Sequence, residues 1–364
     1  MRRRLALLAG LILVTLTLAL AWRFGPALTL SLALAAPSTE GWVGRIRQRA
    51  DREEIAIAGA SGRLQADLYR PRRPRGALLL VHGLSRDGRR QPELARLARL
   101  LCEQGLLVLV PHFDGLAAFK LSGREVEDVR AALRYTVTLD EATAIAGFSF
   151  GAGPALLAAA EVPGVRVVAS FGGYADLSHV IAYVTTGAHG FDGHRYVQRQ
   201  EEYNRWKLLA LLLGFVQDEG DRRLLEGIAR RKLRDPGEDT REIERALGPE
   251  GRAIMALVLN RREDAVENLV AELPGGARKA LGRLSPLGAV ARIRGRLLIA
   301  HGTADDSIPF TESLRLAEAA GPRTHVALFE TFHHTGPQAF WTSIQPRTRD
   351  GWRLIRLVDE LLPR

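Results

Sequence analysis

A serine with glycine two places away on each side stands at Gly147-Phe148-Ser149-Phe150-Gly151. On a tight turn such a serine brings its neighbours two positions away into close contact, which glycine tolerates because it has no Cβ. The chemistry on offer is nucleophilic attack. A serine hydroxyl is a poor nucleophile at neutral pH, so it needs a base within hydrogen-bond reach and a third group to orient that base. With 36 glycines in 364 residues the pentapeptide alone is a weak signal. Its setting makes it strong, because it follows the apolar run Thr143–Ala146 and opens a helical stretch, Ala152–Ala160. A second constellation, His189, Asp192 and His194 in the glycine-rich stretch Gly187–His194, has a spacing that matches no established metal site and reads as a solvated loop. No metal and no cofactor is expected.

The elements that must position the serine follow from the apolar pattern. Continuous runs at Ala77–His82, Leu106–Val110, Ala142–Phe148, Val165–Ser170, Arg296–Ala300 and Val326–Phe329 suit strands covered on both sides. Helical stretches lie between most of them, the signature of a doubly wound, mostly parallel α/β sheet. Ile55–Ala58 and Leu64–Tyr69, split by Ser61-Gly62, read as a leading hairpin. Between Gly173 and Leu284 there are no clear strand runs, only helical patterns such as Tyr196–Val216 and Arg222–Leu233. An insertion of that size is expected to be a helical cap over the strand ends where ligands bind. Its apolar stripe Leu208–Phe215 suits the cap core better than an acyl-chain pocket or a lipid contact. The expected organisation is an apolar anchor or signal segment over 1–36, a linker over 37–53, a core in two parts over 54–173 and 285–364, and the cap over 174–284.

Composition excludes several classes. The formal charge of +10 comes almost wholly from arginine, scattered from end to end, since lysine occurs only at 120, 207, 232 and 279. Scatter without a recognition motif argues against nucleic acid as a partner. The single cysteine, Cys102, excludes an intrachain disulfide framework and reads as a small buried hydrophobe. At the N-terminus Arg2, Arg3 and Arg4 precede the apolar run Leu5–Trp22, whose roughly 18 residues are about enough to cross a hydrocarbon core as a helix. Retention in a membrane with the bulk of the chain exported is expected, because the sequence stays apolar through Phe24–Ala36 and Trp22 suits an interfacial anchor. The alternative is export followed by cleavage at Ala19-Leu20-Ala21 or Ala33-Leu34-Ala35.

The stretch around Ser149 resembles the α/β-hydrolase family, closest to its dienelactone-hydrolase and acyl-peptidase-like members. Val81-His82-Gly83-Leu84 is similar to the family's oxyanion loop, which implies that the backbone N–H groups of Leu84 and Phe150 face the developing oxyanion. His301-Gly302-Thr303-Ala304-Asp305-Asp306-Ser307-Ile308-Pro309 resembles the family's acid-bearing signature, whose register selects Asp305, with Asp306 the alternative. Glu330-Thr331-Phe332-His333-His334, after the last apolar run, resembles the loop that delivers the base and points to His334, with His333 the alternative. The resemblance covers Glu54–Gly173 and Ser285–Asp359 and implies a Ser149, Asp305, His334 triad acting on a small-molecule or lipid-like acyl ester. Peptidase or acyltransferase action on the same triad, or an idle scaffold used for binding, are the alternatives; oligomeric state is open.

Overall fold

In the computed structural model the described residues are Thr15, 23–43, 47–60, 62–330 and 348–363. The long apolar runs do become strands. In chain order these are β1 (Ala50–Gly59), β2 (Gly62–Pro71), β3 (Gly76–Val81), β4 (Leu106–Pro111), β5 (Thr143–Phe148), β6 (Val165–Phe171), a separate two-stranded hairpin of β7 (Ala188–Phe191) and β8 (His194–Val197), then β9 (Arg296–Gly302) and β10 (Thr324–Phe329). The main sheet has eight strands in the order β1-β2-β4-β3-β5-β6-β9-β10. β1 and β2 are antiparallel, β2 runs antiparallel to β4, and every pairing from β4 to β10 is parallel. β3 and β4 are buried at every position, as strands with both faces covered must be. Edge strand β1 instead exposes Asp51, Arg52, Glu53 and Glu54, charges that discourage pairing with another chain.

Helices α1 (residues 23–35) and α2 (Pro92–Glu103) cover one face of the sheet, and α3 (Gly123–Leu139) and α4 (Ala152–Ala159) the other. Between β6 and β9 the chain leaves the sheet for α5 (Leu177–Thr186), the β7–β8 hairpin, α6 (Glu202–Leu212), α7 (Glu219–Arg234), α8 (Pro249–Leu259) and α9 (Gly275–Leu284). After β9, α10 (Thr311–Ala320) joins the α3 face, and α11 (Thr348–Leu361) joins the α1 face. The period of two along each strand divides the core. Leu79, Val81 and Ile145 pack with α3 and α4, whereas Leu78, Leu80, Ala144 and Ala146 pack with α1, α2 and α11. Cys102 sits fully buried in that second cluster, and burial pushes its thiol up to about 12, which keeps it protonated and unreactive.

Two expectations need correction. β1 begins at Ala50, inside the stretch expected as linker, because its partner β2 extends to Pro71 and the ladder runs from Ala50↔Pro71 to Gly59↔Gly62. The expected strand-free insertion contains the β7–β8 hairpin, whose turn places Asp192 and Gly193 at φ 50° and 74°, values suited to a two-residue hairpin turn. The N-terminal region, expected as an anchor or signal segment over 1–36, also contributes to the core. The inner face of α1 puts Ala27, Leu30, Ala33 and Leu34 in the core, and the Arg23 guanidinium pairs with Asp359 of α11. Apart from Thr15, the run Leu5–Trp22 lies outside the described residues, among which no helix is long and apolar enough to cross a membrane.

Candidate active site

Ser149 stands where β5 ends and the chain turns through a single 3-10 turn, Ser149–Gly151, into α4. Its φ of 50° is in the left-handed region, a conformation a non-glycine residue holds at a cost of about 1–3 kcal/mol. The flanking glycines have the predicted steric reason. A Cβ on Gly147 would meet the Ala152 Cα at 2.5 Å, and one on Gly151 would meet the His82 carbonyl oxygen at 2.2 Å. Since both obstacles are backbone, Gly151→Ala is expected to lower stability by about 3 kcal/mol or more. Urea titration of wild type and variant checks this, and coincident midpoints would refute the steric account.

The loop after β3 lies directly against this turn. A Cβ on Gly83 would stand 3.0 Å from the Ser149 Cβ. His82, the residue before it, is buried and serves as a clamp: Nδ1–H donates to the Gly83 carbonyl (2.8 Å), and Nε2 accepts the Phe113 N–H (3.0 Å), tying the loop after β3 to the loop after β4. Burial, with a smaller push from His112, lowers its pKa to about 4, so the ring stays neutral and can accept at Nε2. The sequence signalled a His-Gly pair but not this clamp. Leu84, Phe150 and Ser149 line one cavity of about 60 Å³.

The acid loop follows β9. Asp305 is 1% exposed, and its Oδ1 accepts the N–H groups of Ser307 (2.9 Å) and Ile308 (3.0 Å), which fix the carboxylate in one orientation. Oδ2 lies 3.5 Å from where a Cβ on Gly172 would be, so the carboxylate sits just beyond the end of β6. Asp306 is also buried, and its Oδ1 accepts from the Ser307 hydroxyl (3.3 Å). Ser307 in turn lines the same cavity as Ser149, which brings the acid loop and the serine turn to one place. His301 is a buried strand-end residue, held by the Ser313 hydroxyl (2.6 Å) and the Ile308 carbonyl (2.9 Å). His333 and His334 lie outside the described residues.

The segment between β6 and β9 is bonded to the acid loop. The Tyr183 hydroxyl donates to the Asp305 carbonyl (2.6 Å), the Gln198 amide to the Ala304 carbonyl (3.1 Å), and the Asn204 amide to the Asp306 carbonyl (2.9 Å). In the other direction buried Glu312 of α10 accepts the N–H groups of Ala175 (3.0 Å) and Asp176 (2.8 Å), anchoring the start of α5. These cross-links set the height of α6 over the strand ends. On α6, Asn204, Lys207, Leu208 and Leu211 fall at helical spacing and all line the Ser149 cavity, joined by Val180 and Val184 of α5. The stripe Leu208–Phe215 thus divides: Leu208 and Leu211 face the cavity while Leu209, Leu212 and Phe215 fill the core. Asn204 and Lys207 belong to no motif in the sequence, where the available signal is two polar residues three apart at the start of an apolar helical stretch.

His189 is no solvated loop residue. It accepts from or donates to the Thr311 hydroxyl at 3.1 Å, stacks on Tyr196, and meets Tyr183 and Phe310 edge-on. Among the described residues no three metal-ligating side chains converge. A larger groove, about 400 Å³, opens at the amino ends of the central parallel strands beside Arg75, Arg166 and Arg296, away from Ser149.

No family model and no curated protein matches the chain. Among solved structures it is similar to the esterase domain of a Rhodothermus marinus protein, at 18% identity and TM-score 0.45, covering 85% of this chain and 96% of that one. It is similar to a Pyrococcus furiosus esterase at 13% identity and TM-score 0.48, over 86% and 90% of the two chains. A puromycin-hydrolysing peptidase of Mycobacterium tuberculosis matches at 17% identity and TM-score 0.49 over 85% of this chain and 38% of that one. A serine raised on the turn at the carboxyl end of a central strand, in a mostly parallel sheet, is what the α/β-hydrolase fold is built around, and this chain has that fold.

Proposed function

We propose that this chain is a serine hydrolase of carboxylic esters. The observation that carries the proposal is Ser149, held at positive φ on a strand-to-helix turn and opening into a cavity that Leu84, Phe150 and the acid loop also reach. In this reading Ser149 attacks the ester carbon as His334 takes its proton, and the N–H groups of Leu84 and Phe150 receive the charge that develops on the carbonyl oxygen. His334 then hands the proton to the departing alcohol, leaving an acyl group on Ser149. Water, deprotonated by the same imidazole, releases the acid. Asp305 keeps the imidazole in the required tautomer and stabilises its protonated form. A fluorophosphonate probe is expected to modify one serine, found by peptide mapping at Ser149; a folded chain that the probe ignores would instead be a binding scaffold. Acyl transfer would be recognised by preferential product formation with an added alcohol.

We further propose that the enzyme is membrane-anchored with its catalytic domain exported. The run Leu5–Trp22 leads straight into α1, whose inner face is locked in the core while Phe24, Leu28 and Leu32, four residues apart, are 37%, 53% and 40% exposed. An apolar stripe continuous with such a run suits the head-group boundary of a bilayer, and would hold the domain against it at a fixed angle. Cleavage after Ala35 would strip Leu30 and Leu34 from the core. After alkaline carbonate washing the full chain is expected to stay with the membrane fraction and to retain residues 23–35, whereas a soluble chain starting after Ala35 would refute the anchor.

A further inference from the structure

Resting on the hydrolase reading above, we infer that the enzyme is selective for esters whose acyl portion ends in a carboxylate, and that Lys207 is the residue that recognises it. The cavity that holds Ser149 is apolar on most of its wall, formed by Leu84, Phe150, Val180, Val184, Leu208 and Leu211. Its polar lining consists of Ser149, Asn204, Ser307 and Lys207, so among the described residues it has one cation and no anion. Lysine is rare here, with four in the whole chain against an abundance of arginine, and one of the four lines the cavity that holds Ser149.

An ammonium group in such a place is costly unless an anion answers it. Burial lowers the pKa of Lys207, opposed by the pull of Asp306 and then Asp305 behind the wall. Those two acids belong to the acid loop, where the Asp305 Oδ1 is taken by two backbone N–H groups and the Asp306 Oδ1 by Ser307. Lys207 itself rests with Nζ 5.1 Å from the centre of the Tyr203 ring. A substrate carboxylate entering the cavity would pair with the half-buried Lys207 ammonium, while its methylene chain would meet leucine and valine. A neutral acyl chain of equal length would bury the ammonium further without compensation. Asn204 cannot supply the same recognition alone, since its side-chain amide already donates to the Asp306 carbonyl (2.9 Å).

The test compares 4-nitrophenyl esters matched in carbon number on the full chain: hydrogen glutarate against valerate, and hydrogen adipate against hexanoate, with spontaneous hydrolysis subtracted. Wild type is expected to favour the acidic member of at least one pair by about tenfold or more in kcat/KM. In Lys207→Met that ratio is expected to fall to about one or below, and in Lys207→Arg to survive in part. A wild type that favours the neutral esters, or treats each pair alike, overturns the inference without needing any variant. So does a Lys207→Met enzyme that loses activity on both members equally, which would make Lys207 a structural group or a base for Ser149. If the fluorophosphonate probe labels Ser149 while the pairs go undiscriminated, only this inference fails; if the probe does not react and no ester is cleaved, the hydrolase reading fails with it.

Discussion

Replacing Ser149 with alanine is expected to lower kcat on any ester the enzyme cleaves by about 10⁴-fold or more and to abolish fluorophosphonate labelling. The magnitude follows from how nucleophile and base act as a unit: without the hydroxyl no acyl-enzyme forms, and what survives is the residual stabilisation by binding and oxyanion donors. The fold should be spared, because the strained φ of 50° belongs to the backbone and alanine bears the same Cβ as serine. Near-equal thermal midpoints for the two proteins, measured beside the kinetics, would separate lost chemistry from lost structure. A variant that still turns over ester at a tenth of the wild-type rate would place the nucleophile elsewhere.

The second large effect is expected at Asp305. In Asp305→Asn the amide oxygen must take the place of Oδ1, since the N–H groups of Ser307 and Ile308 point there, and this turns the NH₂ to where Oδ2 was. An imidazole N–H approaching that position would meet a donor in place of an acceptor, the wrong tautomer would be favoured, and kcat should fall by about 10³- to 10⁴-fold. Asp306→Asn is expected to cost at least about a hundredfold less. The Asp306 side chain bonds to the Ser307 hydroxyl, and the carbonyl of the same residue, held by Asn204, is unaltered by the substitution. Steady-state kinetics of both variants decides between the adjacent acids, and a greater loss in Asp306→Asn would reverse the assignment.

Much of the frame was legible in advance because it depends on local pattern. The parallel strands β3 to β6, β9 and β10 lie where continuous apolar runs were read, within two residues at most ends, since a strand buried on both faces leaves no room for polar residues. The serine turn was legible for a related reason, a close backbone approach that only glycine allows at Gly147 and Gly151. The hairpin of β7 and β8 was not, because two strands of four residues carry almost no period. They owe their position to cross-strand pairing and to the stack of His189, Tyr196 and Phe310.

By itself, then, the amino-acid sequence determined the alternation of strands and helices, the turn that presents Ser149, and the apolar N-terminal run. These are matters of neighbouring residues. Tertiary structure decided that α1 belongs to the core through Leu30 and Leu34, that His82 clamps two loops, and that Asn204 and Lys207 line the cavity of Ser149. Each of those depends on which helix face turns inward. That is settled by contacts across long stretches of chain, such as Tyr183 to Asp305 and Asn204 to Asp306, whose bonding partners no local pattern announces.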